Sequence, residues 1–237
     1  MAIYMWREKE PEELCFTANT ANSKVTLNKT GSPTVVTLET SPDGSTWSDY
    51  TIWTSKTLSA IWDKIYFRNK STTTTEFSTG SSDYYYFSMT WSINASWDVT
   101  SLINKDLTTS LPNNYCFSSL FLSCTSLVTS PKLLATTLTQ RCYMSMFQQC
   151  TNLEVLPQLP TTWTLPAYCY YRMFYKCSKI KLSTSQTWEY QTEYRIPTTW
   201  TWAVGSNSLS DMFAQTWWTY TWTPSINTTY YTSNTVI

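Results

Sequence analysis

"RCYMSMFQQCTNLEVL", residues 141–156, decides how this chain is read. Its apolar residues include Cys142, Met146, Phe147 and Cys150, at i, i+4, i+5 and i+8, which is one face of two helical turns. The "NLEVL" that follows reads as a short strand closed by Pro157. So small a unit cannot bury its own apolar face, and stacked neighbours must cover it.

Those neighbours are in the sequence. Cys116, Cys142 and Cys169 open three copies, 26 and then 27 residues apart. Each has a second cysteine eight residues on, at Cys124, Cys150 and Cys177, and an apolar residue three beyond that, at Leu127, Leu153 and Ile180. Leu120 and Met173 match Met146, and Phe174 matches Phe147. A fourth, degenerate copy lies in "NSLSDMFAQT", where Met212 and Phe213 persist and the cysteines are gone. Terminal repeats are expected to differ, because one face lacks a neighbour.

The cysteines invite a disulfide or metal reading. Two residues eight apart on a helix are about 12 Å apart along its axis, beyond the ~7 Å between Cα atoms that a bridge allows. No close pair such as C-x2-C is present to hold zinc. The repeat cysteines are therefore expected on the inward stripe, as small hydrophobes. Bridges between neighbouring copies remain geometrically conceivable, and Cys15 is left over in every scheme.

Before the repeats, the chain alternates as strands do. Val25 and Leu27, then Val36 and Leu38, are separated by turn signals in "NKTGSP" and "SPDGS", and "KIYFRNKS" and "DYYYFSMT" follow as short aromatic runs. This predicts an antiparallel sandwich-like domain over 14–102, after a charged arm over 1–13 that contains "WREKEPEE". The repeats and a degenerate cap fill 103–237. The expected class is α+β: a β-sandwich-like domain, then a short solenoid with a helix and a strand per repeat.

The phrase "CYMSMFQQCTNLEVLPQLP" resembles the BspA-like, or Treponema pallidum type, leucine-rich repeat over about residues 113–183, and again at 208–216. "DGSTWSDYTI", "DKIYFRN" and "MTWSINASWDV" are similar to the small β domain that precedes such repeats in proteins of gut bacteria and their phages. The resemblance implies a non-enzymatic virion structural or host-attachment protein, or alternatively a bacterial surface adhesin or carbohydrate-binding module. It brings no catalytic residues and no cofactor. It implies partners among other virion or surface proteins, or a host surface glycan or protein, within a larger assembly or homo-oligomer. Tyr220, Tyr230 and Tyr231 are candidate contact residues near the C-terminus.

Composition points the same way. Sixteen basic residues balance sixteen acidic ones, which gives no electrostatic reason to expect nucleic acid. Histidine, the commonest general base, is absent. Neither a metal site nor a catalytic carboxylate pair can be assigned among the aspartates. No apolar run approaches the ~20 residues of a membrane helix. The acidic N-terminal stretch does not read as a secretory signal, so the chain is expected to start in the cytoplasm and to end in a virion or, alternatively, on a bacterial surface.

Thirteen tryptophans against four glycines is an inversion of ordinary usage. Trp53, Trp62, Trp91, Trp97, Trp188, Trp200, Trp202, Trp217, Trp218 and Trp222 stand where turns want glycine, and the resembling proteins carry glycine in such places. Trp6 and Trp47 fit as tryptophan, and Trp163 fits either way. Three readings stay open at this level. A UGA codon is written as tryptophan where glycine is meant; exposed rings stack on sugars; or the rings pack inside.

Overall fold

The computed structural model describes residues 12–197, 202–216 and 222–237. Its first half contains β1 (Cys15–Ala18), β2 (Ser23–Thr30), β3 (Leu38–Ser41), β4 (Ser48–Tyr50), β5 (Lys56–Leu58), β6 (Lys64–Asn69), β7 (Tyr84–Thr90) and β8 (Ile93–Ser96). The second half contains β9 (Leu127–Thr129), β10 (Val155–Leu156), β11 (Thr164–Leu165), β12 (Leu182–Ser183), β13 (Thr192–Ile196), β14 (Ala203–Val204), β15 (Thr228–Thr232) and β16 (Thr235–Val236).

Two sheets face each other in the first half. One runs β8-β1-β6-β3-β4, antiparallel throughout, and the other β5-β2-β7. Period-two alternation sets the inner faces: Val25 and Leu27 from β2, Tyr85 and Phe87 from β7. Phe16 and Phe67 from the first sheet meet Phe87 from the second at 4.8 and 5.4 Å between ring centroids, edge to face.

The first sheet does not stop at residue 102. β9 joins β8 in parallel, β10 joins β9, and the C-terminal β16 closes the row on β10. Glu13, placed by sequence in the charged arm, bridges to Asp98, and its carboxylate lies 3.3 Å from Arg68. Among the described residues, then, the sandwich and the repeats share one sheet.

The helix of each repeat is not there. The described residues contain no α-helix and only one 3-10 turn, Val99–Leu102, capped by Asp98. The expected α+β class is overturned: the described residues are nearly all β, with turns. Where helices were expected, each copy forms a run of four-residue turns. The even-numbered amides of copy two, Cys142, Met144, Met146, Gln148 and Cys150, donate three residues back, to Thr139, Arg141, Tyr143, Ser145 and Phe147, at 3.0–3.3 Å. The odd-numbered amides leave the copy. Arg141, Tyr143, Ser145, Phe147 and Gln149 donate to Ala167, Cys169, Tyr171, Met173 and Tyr175 of copy three at 2.8–3.0 Å. A helix would return every amide to residue i−4; here half of them tie one copy to the next, as strands do.

The turns require a left-handed residue at every fourth position. In copy two these are Arg141, Ser145 and Gln149, and in copy three Tyr168, Arg172 and Lys176, all with φ between 52° and 64°. Two residues then point inward and two outward per turn. Cys142–Tyr143 and Met146–Phe147 are buried, while Met144–Ser145 and Gln148–Gln149 are half-exposed. We call this arrangement the turn ladder.

Stacked copies put equivalent side chains on top of one another. Phe87, Phe121, Phe147, Phe174 and Phe213 form one column, with centroids 5.3–5.6 Å apart and ring planes within 15° of parallel. The column begins in β7, so the sandwich acts as the ladder's first layer. Phe117, Tyr143 and Tyr170 form a second column at 6.1 and 5.8 Å.

Candidate recognition face

The residues expected to form the repeat core are brought together. Cys116, Leu120, Cys124, Leu127, Cys142, Met146, Phe147, Cys150, Leu153, Cys169, Met173, Phe174, Cys177 and Ile180 are all buried, none more than 3% exposed. They belong to one apolar cluster, which also includes the sandwich core.

All seven cysteines are free thiols. The second cysteine of each copy has a definite partner: Cys124 Sγ donates to the Phe87 carbonyl, Cys150 to Phe121 and Cys177 to Phe147, at 3.0, 3.0 and 2.9 Å. Each thiol thus latches its copy to the layer before it. Burial pushes the Cys124 and Cys142 thiols up to about 12, so they stay protonated and unreactive. In the fourth copy Ser208 and Thr216 replace the cysteines. Ser208 Oγ lies within donating distance of the Gly205 carbonyl at 2.7 Å and of the Pro166 carbonyl, just before the third copy, at 2.9 Å, and Thr216 Oγ donates to the Phe213 carbonyl of its own copy. The described residues hold no cluster of three or more ligating side chains that could take a metal ion.

The tyrosines offered as partner contacts fare differently. Tyr220 lies outside the described residues. Tyr230 is buried, its hydroxyl accepting from the Ser225 amide at 2.9 Å, and is withdrawn as a contact. Tyr231, on β15 opposite Glu193, is half-exposed. Alternation on a strand explains the split: adjacent residues face opposite sides.

A different set of residues lines the open face. Between the second cysteine and the next core residue each copy carries a polar pair: Thr125–Ser126, Thr151–Asn152 and Ser178–Lys179. Stacking turns these into rows, with the Asn152 amide on the Thr125 carbonyl at 2.8 Å and the Ser178 hydroxyl on the Thr151 carbonyl at 3.1 Å. A groove of about 530 Å³ runs along them from Trp91 and Ser92 past Asn152 to Glu154 and Lys179. A second, of about 430 Å³, continues from Glu154 and Lys179 to Lys181, Asn234 and Thr235. The Lys179 ammonium and Glu154 carboxylate are paired where the two grooves meet.

Asn234 fixes the far end. Its amide donates to the carbonyls of Glu154 and Lys179 at 3.0 and 3.2 Å, and its carbonyl accepts from the Lys181 amide at 3.0 Å. The C-terminal segment is thereby pinned across copies two and three. Sequence reasoning passed over these residues, although the polar pair recurring after each second cysteine was the available signal.

The outer edge of the turns carries a further row. The Arg141 guanidinium lies between the rings of Tyr115 and Tyr168, 5.3 and 4.6 Å from their centroids, and Asn207 donates to the Tyr168 hydroxyl at 2.9 Å. Arg172, one turn on, pairs with Asp211 at 3.3 Å. These contacts lock neighbouring copies in register and leave the groove as the more open polar surface.

Compared with known proteins, the chain matches no family model, no curated protein and no solved structure. The class that fold and face define is an all-β scaffold: a sandwich prolonged by stacked turns, with a polar groove crossing its layers.

Proposed function

We propose that the chain is a non-enzymatic recognition protein, carried on a virion as a structural or host-attachment component, which binds a polar partner along the groove. The observation that carries this reading is continuity. The groove crosses all three cysteine-bearing copies and ends on the C-terminal cap, so one extended partner can touch successive layers. Its hydroxyls, amides and single carboxylate–ammonium pair suit a hydroxyl-rich glycan or an extended polar peptide. The sandwich contributes the first layer of the stack and leaves its distant strands, β3 and β4, for attachment to a larger assembly. The assignment to a virion rests on the resemblance of the repeats.

Probing purified particles tests the location: peptides of this chain should be found in them, and antibodies should label it on intact particles. Absence from particles together with labelling of bacterial cells would favour the adhesin reading. Binding is tested with an array of surface glycans and with extracted host-surface protein. Asn152→Trp fills the middle of the groove at an exposed position and should abolish binding without altering the fold.

A second reading, a carbohydrate-binding module, is favoured by one specific arrangement. Trp163 and Trp202 precede the paired strands β11 and β14, and their rings stack at 6.5 Å, 11° from parallel, with 75% and 71% of each residue exposed. Paired open rings offer a platform for a sugar face. Trp163→Ala would abolish binding by that platform and leave binding in the groove intact.

A further inference from the structure

We infer that positions 53, 62, 91 and 97 are glycine in the protein as its native host makes it, the codon written there as tryptophan being a reassigned UGA. Trp53, Trp62, Trp91 and Trp97 have φ of 70°, 74°, 62° and 63°. Those are the angles of Gly31 and Gly44, at 63° and 76°. Left-handed backbone is open to glycine and costs a side chain with a Cβ, a bulky one above all.

The turn ladder also uses left-handed residues, but there a repeated network of hydrogen bonds between copies holds them. Outside the ladder, the described non-glycine residues with positive φ are Asn22, Trp53, Trp62, Trp91, Trp97, Leu107 and Asn227. Asparagine tolerates this region through local hydrogen bonding. Tryptophan has no such excuse, yet it supplies most of the rest.

The surroundings use the backbone at three of these places, and among the described residues the rings there have no closer charged partner than a lysine ammonium 5.8 Å from the Trp53 centroid and 5.4 Å from the Trp97 centroid. The Trp53 amide donates to Leu27 and the Trp62 amide to Ala18, at 2.9 and 2.8 Å, and the Trp97 carbonyl accepts from Lys132 at 2.8 Å. Trp53, Trp62 and Trp91 are 60%, 71% and 65% exposed. Trp47 is the internal contrast. Its φ is not positive, and the Arg68 guanidinium lies 3.7 Å from its ring centroid. It is a packed tryptophan and is excluded from the inference. Trp188 is exposed without positive φ, so the backbone makes no such demand there, and the inference is not extended to Trp202 and Trp222. Trp200, Trp217 and Trp218 lie outside the described residues.

The inference is independent of what the groove binds, and it changes the groove's near wall: glycine at 91 would remove the one large ring there. UGA is read as tryptophan in some genetic codes and as glycine in others, so the gene and the native protein together decide. The four codons should be UGA and the Trp47 codon UGG. Peptide mass spectrometry of the protein from its native source should then read glycine at all four positions. UGG codons, or tryptophan in the native peptides, overturn the inference. Recombinant protein adds a physical check. The fourfold Trp→Gly variant should unfold at a higher temperature than the chain as written, whereas Trp47→Gly should unfold lower. A fourfold variant that melts lower than the written chain counts against the inference.

Discussion

The sandwich and the turn ladder solve one problem, burying apolar side chains while satisfying every amide, by different local rules. In β2 the rule has period two: Val25 and Leu27 turn inward and their neighbours outward, and the amides look sideways to the flanking strands or, for Leu27, to the Tyr50 hydroxyl at 2.9 Å. In copy two the rule has period four, two in and two out, and the amides divide equally between the copy's own turns and the next copy. The ladder is thus half turn and half sheet. It can grow only from an existing edge, which β7 and β8 provide.

The largest expected effect separates the two regions by chemistry. Six of the seven thiols belong to the ladder, and burial raises each of them. A group whose folded pKa is raised contributes stability that is complete below its unfolded value and is lost as pH climbs toward the folded one. The unfolded value is 9.0, and Cys124 and Cys142 reach about 12. Stability should therefore hold up to about pH 9 and then fall steeply, by about 1.4 kcal/mol per pH unit for each such thiol. Denaturant midpoints between pH 7 and 11 measure this. Below pH 9, thiol reagents should label the native protein only as fast as it opens.

Next comes a cut through the shared column. Phe147 is fully buried between Phe121 and Phe174, at 5.4 and 5.6 Å. Phe147→Ala should cost about 3–5 kcal/mol. Because the column and the first sheet run into the sandwich, unfolding should remain a single transition by near-ultraviolet and far-ultraviolet dichroism alike. Two separate melts would show that the sandwich stands alone and that the continuity is only geometric.

These residues also show how far sequence could carry the reading. The copies, the burial of their cysteines and the strands after them were all legible from residue type and spacing. The helix was not excluded, for a geometric reason. A helix turning 3.6 residues per turn drifts about 80° over eight residues relative to a period of four, and an apolar stripe wider than about 100° absorbs that drift. Cys142, Met146, Phe147 and Cys150 satisfy both periods. The destination of the odd-numbered amides is what separates them, and it depends on a neighbour some 26 residues away that a local pattern does not encode. The groove was hidden for a related reason: its rows exist only after stacking.

A smaller effect should appear in the second column. The hydroxyls of Tyr143 and Tyr170 are buried without a hydrogen-bond partner among the described residues, whereas the equivalent residue of the first copy is Phe117. An unpaired buried hydroxyl costs free energy that phenylalanine avoids. Tyr143→Phe and Tyr170→Phe should each raise stability by about 1 kcal/mol, read from denaturant midpoints at constant m-value. A loss would mean that these hydroxyls have partners.

The smallest effect tests the contrast most directly, because one substitution should change sign between the regions. Ser145 has φ of 55° in the ladder and donates its amide to Tyr171, so its side chain adds strain without adding a contact that the ladder requires. Ser145→Gly relieves a left-handed penalty of about 1–2 kcal/mol against the extra chain entropy of glycine, for a net gain of about 0.5 kcal/mol. Thr26 sits in the middle of β2, paired with Ser88 of β7 in extended backbone. Thr26→Gly loses strand preference and chain stiffness together and should cost about 1 kcal/mol. Measured side by side, opposite signs establish that the repeats are built from left-handed turns. Matching losses at both sites would return the repeats to a conformation that glycine disrupts, such as a helix.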